Sequence, residues 1–466
     1  MESQVPARYR LATAVLVTFL FASSQPSVSA DTVRVYQTED LGVIAGGNYL
    51  VGIALNCYGD VTGYAIGSDG FLRAFRWTAS GGLEDLGFNG GQASTASAIN
   101  DNGDVVGHFW DQDGEQHPFI AKRGEAMTDL TSFYPEIFTI NSINNAGQLT
   151  GYTKSGHAFK TQPGGALQEF GTYFSFGASL NEAGEIGGVG WHDEEMSQPR
   201  TAFRYSDSTG LVDLGTLSGG TSGALAINEG GVIVGWSGGT ETIPGRAFRA
   251  KPGLPMEDLG SLPGGAGWSL GASAINDRGA IVGQGDGRYG PSPFLFTDAQ
   301  GMIDLRYRIT MAEQMVFPMD WAMAINNSGQ ILAGYHRADE GYGTVRLTPL
   351  RREFDGPVAA PTAEPSVLRP VHNQMVSVSV DPHVTDEYDP EPVCRIVRVV
   401  NSQAPHAGPD PDVEITYHMS VNLRASRRGP GNSRTYTIKV GCTDALGVTS
   451  RSEVVVVVPH GNGSND

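Results

Sequence analysis

This chain of 466 residues has little cysteine and little charge, and no long apolar run after its first 21 residues. Only three cysteines occur, Cys57, Cys394 and Cys442, and no Cys/His cluster has the spacing of zinc ligands, so a metal-scaffolded fold is excluded. Charged residues make up 17%, which suits neither a disordered polyelectrolyte nor a helical protein. A helix that crosses a bilayer needs about 20 apolar residues, and nothing beyond the N-terminus approaches that length. Basic residues are scarce as well: 31 Lys and Arg stand against 50 Asp and Glu, for a net charge of −19. Nearly all of that excess falls in residues 31–350, a field that repels nucleic acid and anionic lipid. Catalytic signatures are missing too. There is no His-Glu-x-x-His helix and no sialidase-type Asp box.

Glycine is abundant, at 63 residues, and it recurs in order. The phrase Asn-x-x-Gly followed by an apolar strand occurs at Asn56, Asn100, Asn144, Asn181, Asn228, Asn276 and Asn326, in steps of 44, 44, 37, 47, 48 and 50 residues. That period is too long for leucine-rich or ankyrin units and suits one four-stranded blade of a β-propeller. Each copy reads as four strands. A small-then-aliphatic pair ends the first, as in Ala54-Leu55 and Ala98-Ile99. The Asn bonds backbone two residues on and the Gly takes a left-handed conformation. A second apolar strand follows with Gly seven residues after the Asn in six copies, where a small residue lets backbones approach. The third strand carries Phe (Phe75, Phe119, Phe159, Phe203, Phe248, Phe294). The fourth centres on an acid, as in Asp85-Leu86-Gly87. An acid repeated in every copy reads as a structural hydrogen-bonding partner.

The seventh copy lacks its fourth strand, and an orphan, Glu39-Asp40-Leu41-Gly42, lies at the other end of the chain. The expectation is an all-β, seven-bladed propeller over 31–350 whose N-terminal strand completes the last blade and removes two sheet edges. An open β-solenoid is the rival. Residues 1–30 read as a signal peptide: Arg8 and Arg10, then the apolar stretch 11–21, then Val28-Ser29-Ala30 before Asp31.

The segments 271–283 (GASAINDRGAIVG), 156–159 (GHAF) and 212–220 (VDLGTLSGG) carry a resemblance to the extracellular HAF-repeat family, over roughly residues 33–350. Only His157 keeps the His-Ala-Phe spelling; His117 precedes Pro, and the other copies have Arg, Thr or Ser. The resemblance implies a propeller-like secreted module and brings no catalytic residues with it.

Residues 351–366 read as a linker, residues 367–460 as a β-sandwich of short β-branched strands, and residues 461–466 as a polar tail. Cys394 and Cys442 are expected to bridge in an exported chain, and closing the loop between them stabilises by up to about 4 kcal/mol in the chain-entropy treatment. Val384-Thr385-Asp386, Asp389, Cys394 and Cys442-Thr443-Asp444 resemble immunoglobulin-like modules at the C-termini of secreted bacterial proteins. Where a further half-cystine is often expected, this chain has Tyr388. The resemblance implies a spacer or adhesion unit.

Site candidates are few. Tyr64, Tyr152 and Trp236 follow the second-strand glycine and are candidates for lining a carbohydrate-binding face, with packing between blades as the plainer explanation. Asp111-Gln112-Asp113-Gly114 reads as a polar turn, not a calcium loop, and His192-Asp193-Glu194-Glu195 as an exposed loop. No catalytic residue, metal or cofactor is expected. The sequence points to an exported, non-enzymatic binding or adhesion protein that presents a propeller face to an extracellular glycan or protein. A propeller hydrolase or lyase acting on an extracellular polysaccharide, and a structural cell-surface component, are the alternatives.

Overall fold

The structure is a computed structural model. It describes residues 34–44, 46–162, 165–171, 174–191, 199–238, 245–265, 267, 269–338, 341–351, 357–369, 374–386, 389, 391–403, 411–426, 433–444 and 448–459. The leader at 1–30, residues 352–356 of the linker, Tyr388, the segment His192-Asp193-Glu194-Glu195 and the tail at 461–466 lie outside the described residues.

The fold is all-β and propeller-like. Five four-stranded antiparallel sheets follow one another from Ala93 to Asp304, each built from strands consecutive in sequence. Before them lies a four-strand unit, Tyr49–Leu55, Val61–Ile66, Leu72–Thr78 and Gly82–Asp85. After them come Met319–Ile325, Ile331–His336 and Tyr342–Arg351, and the fourth strand of that unit is Arg34–Asp40 from the other end of the chain. It pairs antiparallel from Arg34 opposite Arg351 to Asp40 opposite Val345. One parallel pair, Tyr49 with Tyr342, joins the first unit to the last.

The local chemistry repeats with the sequence. All seven turn glycines have positive φ, from 69° at Gly231 to 84° at Gly59, where a Cβ is disfavoured. The turn Asn supports the same turn: Asn56 Oδ1 accepts from the N–H of Tyr58 at 3.1 Å and of Asp60 at 2.9 Å. Each first strand carries a register shift shortly before its Asn turn, between Gly52 and Ala54 in the first unit and between Ala322 and Ala324 in the last. A bulge there thrusts a first-strand carbonyl towards the second-strand glycine. A Cβ on Gly63 would lie 2.0 Å from Val51 O, and one on Gly151 would lie 1.9 Å from Thr139 O.

The third-strand Phe residues are buried between units, and removing one such side chain costs about 3–5 kcal/mol. The next residue is often a buried cation that reaches into the following unit. Arg76 Nη2 donates to Ala121 O at 2.7 Å, Arg204 donates to Gly231 O, and Arg346 Nη1 donates to Gly59 O at 2.8 Å. Arg346 also donates to Glu39 Oε2 at 2.6 Å, so it fastens the returning strand as well. The fourth-strand acid caps backbone two residues on, as Asp85 does for Gly87 N–H and Asp213 for Gly215 N–H. It also takes the residue before the third-strand Ala or Pro. Arg73 Nη1 lies 3.2 Å from Asp85, His117 Nδ1 lies 3.5 Å from Asp129, and Thr201 Oγ1 donates to Asp213 at 2.7 Å. This explains why His, Arg and Thr interchange at that position, because each supplies a donor.

Residues 358–458 form separate sheets. One contains Thr362–Glu364, Met375–Asp381, Ser420–Arg424 and Val413–Tyr417; another contains Val393–Asn401, Arg434–Thr443 and Thr449–Val458. Val378, Val421, Leu423, Tyr436, Ile438 and Val456 form their shared core. Cys394 and Cys442 form a disulfide between residues directly opposite on neighbouring strands of one sheet. No helix among the described residues is long and apolar enough to cross a membrane.

Candidate functional site

Strand direction gives the ring of units two ends. The first strand of each unit runs towards the Asn turn and the second runs away from it, so all seven turns share one end. There the side-chain amide of each Asn donates to the backbone carbonyl of the next unit's Asn. Asn56 donates to Asn100 O at 3.1 Å, and the series continues through Asn144, Asn181, Asn228 and Asn276 to Asn326, which donates to Asn56 O at 3.0 Å. The circuit is closed, and every Asn in it is buried.

A second belt surrounds the first. In six of the seven units the residue after the Asn accepts from the backbone N–H of its counterpart in the preceding unit. Asp101 takes Cys57 N–H at 2.9 Å, Asn145 takes Asp101 N–H at 2.7 Å, and Glu182, Glu229, Asp277 and Asn327 continue the pattern. These residues line a depression of about 210 Å³ on the axis. Burial opposes the ionisation of Asp101, but the Cys57 N–H and thiol and the Asn145 amide hold its carboxyl below its ordinary range. Burial, with Asp277, Glu182 and Glu185 nearby, raises Glu229 despite the N–H it accepts. Cys57 is an exposed free thiol, pushed up to about 11 by burial and then by Asp101, so it stays protonated at neutral pH. Among the described residues no His, Tyr, Lys or Arg lines the depression. Among the described residues no group of three or more His, Cys, Asp or Glu is placed to hold a metal ion. The belt satisfies its own polar groups and reads as a girdle. Asp111 is likewise explained: it accepts the Glu115 and Asp113 N–H groups and faces His117, which closes a polar turn.

The opposite end is aromatic. Tyr64, Tyr152 and Trp236 occupy one equivalent position on the second strands, together with His108 and Gln284, and all are half-buried. Tyr64 lies 6.1 Å from Tyr49, whose ring meets Tyr342 edge-on at 5.1 Å; Tyr342 in turn touches Trp321 and His336. Burial and the neighbouring Tyr64 push the Tyr49 hydroxyl up to about 12. Tyr152 belongs to a longer cluster. Its ring lies 5.4 Å from Phe138, 6.2 Å from Phe174 and 6.0 Å from Phe176, and Trp191 meets Phe174 edge-on at 5.7 Å. Phe138 and Phe174 are 38% and 40% exposed, so this platform opens to solvent. Trp236 extends it through Arg200, whose guanidinium sits over Trp191 at 5.6 Å and over Trp236 at 5.1 Å. His108 packs edge-on against Trp110, and burial pushes it down to about 4.

Sequence reasoning marked Tyr64, Tyr152 and Trp236, and the structure separates Tyr64 from the other two. It missed Phe138, Phe174, Phe176, Trp191 and Arg200. None of these falls at a repeated position, so periodicity carries no signal for them.

No family model and no curated protein matches the chain. Among solved structures it is similar to TolB from Acinetobacter baumannii, at 10% identity and a TM-score of 0.37, covering 52% of this chain and 62% of that one. It is also similar to a puromycin hydrolase S511A mutant complexed with PGG, at 10% identity and a TM-score of 0.40, covering 72% of this chain and 59% of that one. The BP39L lectin from Burkholderia pseudomallei is similar at 10% identity and a TM-score of 0.20, covering 91% of this chain and 96% of that one. The chain thus spans about six-tenths of the length of the first two.

Proposed function

We propose that residues 31–350 are a seven-bladed β-propeller of the HAF-repeat kind, closed by its N-terminal strand, and that residues 367–460 are an immunoglobulin-like sandwich serving as a spacer. The chain is read as an exported, non-enzymatic binding or adhesion protein. Export is supported by the leader-like residues 1–30 and by a disulfide, which persists in oxidising compartments. Its ligand is an extracellular glycan, taken on the aromatic end of the ring.

One observation carries this reading: the half-open platform of Phe138, Tyr152, Phe174, Phe176 and Trp191. Flat apolar rings with solvent-facing surface match the apolar faces of sugar rings, and here two Phe side chains over a third exposed stand in one cluster with Tyr152. The turn end offers neither aromatic rings on its lining nor an acid–base pair. A glycan array probed with the mature chain, residues 31–466, tests the reading. Binding to a defined glycan set that is lost in Tyr152→Ala and in Phe174→Ala, but kept in Glu229→Gln at the turn end, is the expected result. Absence of binding to any glycan would remove it.

A further inference from the structure

Arg200 stands apart from the other arginines between the units. Arg76, Arg249 and Arg346 each meet a carboxylate, and Arg73 and Arg246 pair with fourth-strand acids. The Arg200 guanidinium has no carboxylate or hydrogen-bond partner among the described residues, and its contacts are the Trp191 and Trp236 rings on neighbouring units. Its backbone is fixed, because Arg200 O accepts Ser222 N–H at 3.0 Å. A cation held between two indoles keeps its in-plane N–H donors available at the edge. The Trp191 ring that Arg200 covers meets the exposed Phe174 ring edge-on at 5.7 Å.

We infer that the aromatic end recognises an acidic polysaccharide, with Arg200 taking an anionic substituent on a sugar, a carboxylate or a sulfate ester, while Phe174 and Tyr152 take the apolar sugar faces. This rests on the glycan reading above and narrows it. The guanidinium fork suits both anions, and charge-assisted bonds are about twice as strong as neutral ones. The net charge of −19 does not prevent this. Exposed charges more than about 8 Å away are largely screened at physiological ionic strength, whereas an anion in contact with Arg200 is not. A neutral glycan would leave Arg200 with only its two indole contacts among the described residues.

The test uses the mature chain and two matched pairs of polymers, polygalacturonate with its methyl ester and dextran sulfate with dextran, in a direct binding titration. The charged member of at least one pair should bind about tenfold or more tightly than its neutral counterpart. The pair that discriminates tells carboxylate from sulfate. Arg200→Met keeps an apolar stem between the two indoles and should abolish that preference, while Phe174→Ala should weaken both members of the pair. The comparison between polymers needs no variant, so it holds even where a substitution disturbs folding. Equal binding within both pairs overturns the assignment to Arg200 and leaves the glycan reading standing. Failure of every polymer here, together with an empty glycan array, overturns both.

Discussion

The side-chain amide of Asn326 donates to the backbone carbonyl of Asn56 at 3.0 Å across 270 residues of chain. It is the same bond that each earlier Asn makes to its successor, so the last unit meets the first as any two neighbours meet. Closure is therefore built from the repeat itself, and the returning strand Arg34–Asp40 completes it on the outside.

Asn326→Ala should be costly. It removes the donor to the buried Asn56 O and the acceptor for the Ser328 and Gln330 N–H groups, of which Ser328 is exposed and Gln330 half-buried. Leaving a buried polar group unsatisfied costs about 1–3 kcal/mol. Urea denaturation should show a loss of that size, and Asn144→Ala should show a similar one. A neutral outcome at both sites would mean that the ring adds nothing to stability.

Leu41→Asp tests the returning strand. Leu41 is 4% exposed, packs with Leu50, Val61 and Phe75 of the first unit, and donates its N–H to Thr344 O at 3.1 Å. A carboxylate there has no partner, so a loss of about 3 kcal/mol or more is expected. Thermal melting of the variant at the wild-type temperature would contradict the packing.

His108 gives a pH dependence. Burial lowers its pKa from 6.5 to about 4, so the folded protein holds it neutral while the unfolded chain protonates it at a higher pH. Stability from this group is complete above pH 6.5 and is lost as pH falls towards 4, because the unfolded state binds more protons in that window. Chemical denaturation of wild type and His108→Gln at pH 7 and pH 4.5 should show a smaller acid loss in the variant. An identical loss in both would place the acid sensitivity elsewhere.

The disulfide should act on its own sheets only. Reduction, or Cys394→Ser with Cys442→Ser, should lower the stability of the 358–458 region by up to about 4 kcal/mol while the melting of the repeat region holds. Differential scanning calorimetry with and without reductant reads both transitions. A matching shift in the repeat transition would show that the two regions unfold together.

Much of this architecture is legible in the sequence because it rests on backbone chemistry that repeats. Gly59 and its counterparts need positive φ, Gly63 and its counterparts sit against a carbonyl, and Asp85 and its counterparts cap a strand end. Each requirement names a residue type at a fixed spacing. The orphan Asp40-Leu41 was readable for the same reason. The second function of Asn, reaching the next unit through Nδ2, was not readable, because a turn needs only its Oδ1. The aromatic platform was also hidden. Phe138, Phe174 and Trp191 lie outside the repeated positions; Phe138 meets Tyr152 across one hairpin, and Phe174 and Trp191 come from the next unit. Arg200 was hidden as well, because it stands one place before the position that Arg73 and Arg246 fill, where its own copy has Thr201, and its guanidinium faces indoles.

The central claim is that the two ends of the repeat array pair. Gln37 stands opposite Thr348 in that pairing. In a Cys57→Ser background, Gln37→Cys with Thr348→Cys should form a disulfide under mild oxidation, seen by mass spectrometry as one cross-linked peptide from the native monomer. Two free thiols in a folded monomer, with no cross-link after oxidation, would contradict the closed ring.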